Sequence, residues 1–79
     1  MTKVNILLKT IDDVKSFVDT LSVYDCDFDL VSGRYIIDAK SLMGILSLEL
    51  SKALELDIHT DDPAEVAKIR ESIKPFLVD

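Results

Sequence analysis

The chain has 79 residues, enough for one domain with one modest core. Its 48% hydrophobic and 30% charged residues are the balance of a folded globule and not of a disordered segment. A formal net charge of −6, with the basic residues scattered, argues against nucleic acid and anionic membrane surfaces as partners.

The first predicted element is a strand over "VNILL" (Val4–Leu8), a short run with β-branched residues. No small-residue cleavage site follows it, and no apolar run approaches the roughly 18 residues of a membrane span. Thr10 then caps a helix, with Asp13 three residues on in the manner of a capping box. Asp12 and Asp13 suit the positive end of the helix dipole. Ile11, Val14, Phe17, Val18 and Leu21 fall at helical spacing and predict one buried face.

"YDCDFDL" reads as a strand from Tyr24 to Leu30. Tyr24, Cys26, Phe28 and Leu30 face inward, and Asp25, Asp27 and Asp29 face water. Ser32-Gly33 predicts a two-residue hairpin turn into a partner strand, "RYIID" (Arg34–Asp38). Ser41 caps a second helix, expected from Leu42 to about Ser51, whose only charge is Glu49. Such a helix is either nearly enclosed or waits for a partner. "LELDIHT" (Leu54–Thr60) alternates again, with Glu55, Asp57 and His59 on the wet side. Asp62, Pro63 and Glu65 open a last helix as N-cap, first position and capping-box partner, and it buries Val66, Ile69, Ile73 and Phe76. Pro75 ends or kinks it.

The order is β-α-β-β-α-β-α, a single domain over residues 1–79. It predicts an α+β open-faced sandwich: a four-stranded antiparallel sheet covered on one face by three helices.

Candidate chemistry is sparse. The aspartate ladder could suggest calcium, but a calcium loop needs Gly at its sixth position and Glu at its twelfth, where Leu30 and Ile36 stand. Alternation accounts for the aspartates as a solvated strand face, so no metal is expected. His59 is the one histidine and lies on the wet face near Asp57, without a second histidine for a relay or metal pair. Cys26 reads as a small buried hydrophobe, has no internal disulfide partner and so points to a reducing, cytoplasmic setting. Gly33 and Gly44 stand alone, so no phosphate-cradling loop is present. No cofactor and no enzymatic activity are expected; a binding or regulatory domain is.

Two stretches carry a resemblance. "DAKSLMGILSLEL" is similar to the "KSIMGVMSLG" segment of the HPr phosphocarrier family of the bacterial sugar phosphotransferase system, and "YDCDFDLVSGRYIIDAKS" resembles that family's strand–turn–strand leading into it. The resemblance implies the HPr fold and two phosphorylation chemistries. One uses a histidine at the N-cap of the first helix, in a "GxHARP" motif, which receives phosphoryl from enzyme I. The other uses the serine of "KSIMG", modified by an ATP-dependent kinase. Ungapped counting places Thr10 at the histidine, Asp12 at the arginine and Asp13 at the proline, so the carrier chemistry is missing. Ser41 remains as phosphorylation candidate, and Ile11, Lys40, Leu42 and Met43 as the partner-binding surface. Ala53 stands where the family usually has a glycine after the second helix.

In the family's sheet the last strand runs antiparallel beside the first. That implies His59 lies a strand length from Thr10 and cannot replace the histidine. The expected function is a regulatory, protein-binding HPr-like domain, with partners in the phosphotransferase or carbon-regulation system, a serine kinase among them. A monomer or weak homodimer is expected. The alternatives are a carrier with Thr10 or His59 as acceptor, and an oligomerising structural domain.

Overall fold

Short runs that alternate apolar and polar residues give a sheet with one dry face, and the apolar stripes of the helices cover it. The computed structural model describes residues 1–78. It contains β1 (Thr2–Ile6), α1 (Ile11–Ser22), β2 (Phe28–Ser32), β3 (Tyr35–Asp38), α2 (Leu42–Leu46), β4 (Leu54–Ile58), α3 (Pro63–Ser72) and β5 (Leu77–Val78). A 3₁₀ turn, Lys74–Phe76, leads into β5.

The sheet is antiparallel with order β3-β2-β4-β1-β5. Four strands were expected and form its body. The fifth is a two-residue edge that pairs Asn5 with Val78 and Ile6 with Leu77. Its dry face carries Val4, Ile6, Phe28, Leu30, Leu54, Leu56 and Ile58, all buried. From the helical layer come Val14, Phe17, Leu21, Ile45 and Ile69, with Ile73 and Phe76 after α3. Phe17 and Phe76 meet edge to face, their ring centroids 5.7 Å apart.

Several boundaries depart from expectation. The first strand runs two residues earlier than Val4–Leu8, because its ladder to β4 begins at Thr2 and ends at Ile6. The alternation from Tyr24 to Leu30 becomes strand only at Phe28, since a strand needs a partner and β4 ends opposite it, at Ile58. Tyr24 instead ties the α1–β2 connection to α3: its hydroxyl lies 2.6 Å from Ser72 Oγ and 3.3 Å from the Lys68 carbonyl. The hairpin turn is Gly33-Arg34 and not Ser32-Gly33, as Ser32 pairs with Tyr35. Gly33 has φ 58°, the left-handed conformation that glycine adopts without penalty.

The second helix has five residues and not ten. Gly44 is a weak helix former. Its carbonyl is taken by the Ser47 hydroxyl at 2.6 Å and by the Ser47 amide at 3.2 Å, so the ladder tightens and stops. Leu42, Leu46, Leu48 and Leu50 all pack partly buried against the core. This stretch is therefore mostly enclosed. At α3, Asp62 Oδ1 accepts from the Ala64 amide at 3.0 Å. Glu65 does not close a box, because the Asp62 amide already donates to Thr60 Oγ1 at 3.2 Å. Val66 is half-buried, not buried.

Candidate functional site

Thr10 is the N-cap of α1, with φ −133° and ψ 166°, and its Oγ1 accepts from the Asp13 amide at 3.0 Å. Asp13 Oδ2 accepts in return from the Lys9 amide at 3.0 Å, one residue before the position a standard box would use. Thr10 and Asp12 are exposed. Ile11 was expected on the buried face of this helix but is 58% exposed, because it stands at the first helical position ahead of the buried stripe, which begins at Val14. The start of α1 thus presents a hydroxyl and two carboxylates, with no imidazole.

α2 packs against α1. Ser41 caps it, Oγ accepting from the Gly44 amide at 3.2 Å. A Cβ at position 44 would come within 3.1 Å of that Oγ, so glycine keeps the space in which the hydroxyl sits. Met43 is 77% exposed, whereas Leu42 is half-buried against the core. The expected apolar pair is therefore one projecting residue and one anchor. Lys40 is also an anchor: its Nζ donates to the Tyr24 carbonyl at 2.7 Å and lies 5.5 Å from the centre of the Phe28 ring.

His59 sits beyond β4 at the Thr2 end of β1, while Thr10 follows the Ile6 end. The strand length between them is as the resemblance implied. His59 Nε2 lies 2.8 Å from Asp29 Oδ2, so its acid partner is Asp29 and not Asp57. Asp57 itself was expected on the wet side and is buried, 9% exposed. Cys26 is half-buried; burial, with Glu65 nearby, raises its thiol pKa, which opposes thiolate chemistry.

Among the described residues, no three His, Cys, Asp or Glu side chains converge to hold a metal. Nor, among the described residues, is any helix long and apolar enough to cross a membrane. A cleft of about 750 Å³ between the β2–β3 hairpin and the α2–β4 connection, lined by Arg34, Tyr35, Leu48 and Lys52 among others, includes neither Thr10 nor Ser41. Burial of Asp57 and the tying of Lys40 escaped the sequence, because both depend on what lies across the sheet or across the chain and not on spacing.

A family model described as "PTS HPr component phosphorylation site" matches residues 14–77. The match begins just after Thr10, Asp12 and Asp13. The crystal structure of HPr-C-His from Thermoanaerobacter tengcongensis is similar over 92% of this chain and 90% of that one, with 28% identity and a TM-score of 0.73. No curated protein sequence matches.

Proposed function

The chain belongs to the HPr family of the phosphotransferase system, and from that premise we propose that it is a regulatory, protein-binding member that carries no phosphoryl group on histidine. The supporting observation is the N-cap of α1. There Thr10 does the structural work of a cap, and the first turn of the helix it opens carries two carboxylates, Asp12 and Asp13. Asp12 and Asp13 would repel a dianion, and a phosphoryl transfer site needs the opposite charge. His59, paired with Asp29, is at the other end of the strand.

Partner binding rests on Ile11 and Met43, the exposed apolar residues of α1 and α2. Ser41 is the modification candidate, on the strength of "KSLMG" and its likeness to the family serine. A phosphate on Ser41 would add about −1.5 to −2 charge beside Met43 and would change which partner that surface accepts. The setting is cytoplasmic, with components of the phosphotransferase or carbon-regulation system as partners and an ATP-dependent kinase acting on Ser41.

Mass spectrometry of two reactions tests this. One contains enzyme I and phosphoenolpyruvate; the other contains an HPr serine kinase and ATP. The expected result is acid-stable phosphate on Ser41 in the kinase reaction alone. Acid-labile phosphate on His59, or phosphate on Thr10, in the enzyme I reaction would overturn the proposal. An unlabelled protein in both reactions would remove the serine switch.

A further inference from the structure

The open face of the sheet, opposite the helices, carries an unusual row. Register places Asp38 opposite Asp29 and Asp29 opposite Asp57 on adjacent strands, with Lys3 opposite Asp57 on β1. Glu55 lies two residues from Asp57 and so shares the face. Like charges directly opposite in a sheet are destabilising. Lys3 relieves little of this, since its Nζ approaches Glu55 Oε2 at 3.8 Å in a partly exposed pair, and His59, just beyond β4, answers one oxygen of the row, Asp29 Oδ2, with its Nε2 at 2.8 Å.

Asp57 is the sharpest point of strain. It is nine-tenths buried in the middle of the row, and its Oδ1 is shielded from solvent with no hydrogen-bond partner among the described residues. An orphaned buried carboxylate oxygen costs stability, and native chains rarely keep one without use. A side-chain hydrogen bond to Asp57, with the charge of that carboxylate as a lesser cause, holds the Glu55 carboxyl above its ordinary range.

The row asks for a cation, and the face narrows which. Among the described residues, no three ligands converge on a metal position. A guanidinium is flat, always charged and able to fork across carboxylates on neighbouring strands. The adjacent row offers an apolar shelf, Val31 opposite Ile36, with Ile36 68% exposed. We propose that this open face docks an arginine-bearing segment of a partner protein, with a guanidinium seated on Asp57 and on Asp29, beside the His59 ring that already bonds Asp29 Oδ2, and an adjacent apolar side chain on Val31 and Ile36. Arrival of the guanidinium turns the Asp57 carboxylate and gives its orphaned oxygen a donor. The site is separate from the α1–α2 surface and does not depend on how Ser41 or Thr10 behaves.

The probe is a short peptide of alternating arginine and leucine, titrated into the full chain and followed by amide chemical shifts. Shifts should centre on Asp29, Val31, Ile36, Asp38, Glu55 and Asp57. Asp57→Asn and Asp29→Asn should each weaken binding about tenfold, the loss of one charge-assisted contact. Asp19→Asn removes the same charge from an exposed position on α1 and should leave affinity unchanged. Thermal unfolding of each variant verifies that it folds. No binding, shifts centred on α1 and α2, or equal weakening by all three variants would overturn the proposal.

Discussion

Replacing Gly44 with alanine sets two opposed effects against each other. Within a helix, alanine is favoured over glycine by about 0.5–1 kcal/mol. The added Cβ, however, meets Ser41 Oγ at 3.1 Å, tighter than ordinary contact, and Ser41 Cβ and Ile37 Cδ1 at 3.5 Å. The hydroxyl must give way, and it is the acceptor for the Gly44 amide. Loss of such a cap costs about 1 kcal/mol. Gain and loss nearly cancel, so Gly44→Ala alone should fall within about 0.5 kcal/mol of wild type. Ser41→Ala alone should cost about 1 kcal/mol. In that background the obstructing oxygen is gone, and Gly44→Ala should now stabilise by about 0.5–1 kcal/mol. Urea unfolding of the four proteins closes a double-mutant cycle, with an expected coupling of about 0.5–1 kcal/mol. The same gain from alanine in both backgrounds would refute the crowding, and with it the claim that glycine reserves the space around the Ser41 hydroxyl.

Glu55 makes stability depend on pH. Because its folded pKa is raised by Asp57, the folded chain binds this proton more tightly than the unfolded chain, and stability falls as pH rises through the interval between the two values. Glu55→Gln should therefore melt higher than wild type near about pH 7, with the difference closing below about pH 4; a constant difference would contradict the sign. Leu42 and Met43, adjacent in sequence, should separate on mutation. Met43→Glu should change unfolding free energy by less than about 0.5 kcal/mol while weakening partner capture, and Leu42→Glu should lose about 1–3 kcal/mol because it buries a charge against the core. Equal losses would mean that α2 presents both residues alike.

The elements that could be read from the sequence are those whose signals are local. Thr10 and Asp62 cap their helices as their residue types demand, and the inward set of β4, with that of α1 from Val14 on, follows its period. What could not be read depends on partners distant in the chain. Alternation at Tyr24 and Cys26 looks like strand, but no strand lies beside them to pair with. The α2 ladder stops because Ser47 competes for the Gly44 carbonyl, a choice that spacing does not reveal. β5 is two residues long and has no periodicity to detect. At the candidate site, Ser41 and Thr10 were legible as caps, and Met43 as an exposed apolar residue. Lys40 was not, because its ammonium is tied to a carbonyl sixteen residues away in the chain. Asp57 was placed on the correct face, yet its burial comes from neighbours on other strands.

The place of β4 in the sheet bears on how the chain assembles. β4 lies between β2 and β1, and only β2 and β3 form a local hairpin. Both ladders at the centre of the sheet therefore wait for β4, and each requires closure of a long loop before it is rewarded. Until Leu54–Ile58 leaves the ribosome, β1 and β2 each lack the strand that lies between them, while their own apolar residues are already made. Folding of this domain should be slow for its size, and the interval before β4 arrives is when neighbouring nascent chains can pair with the wrong edge.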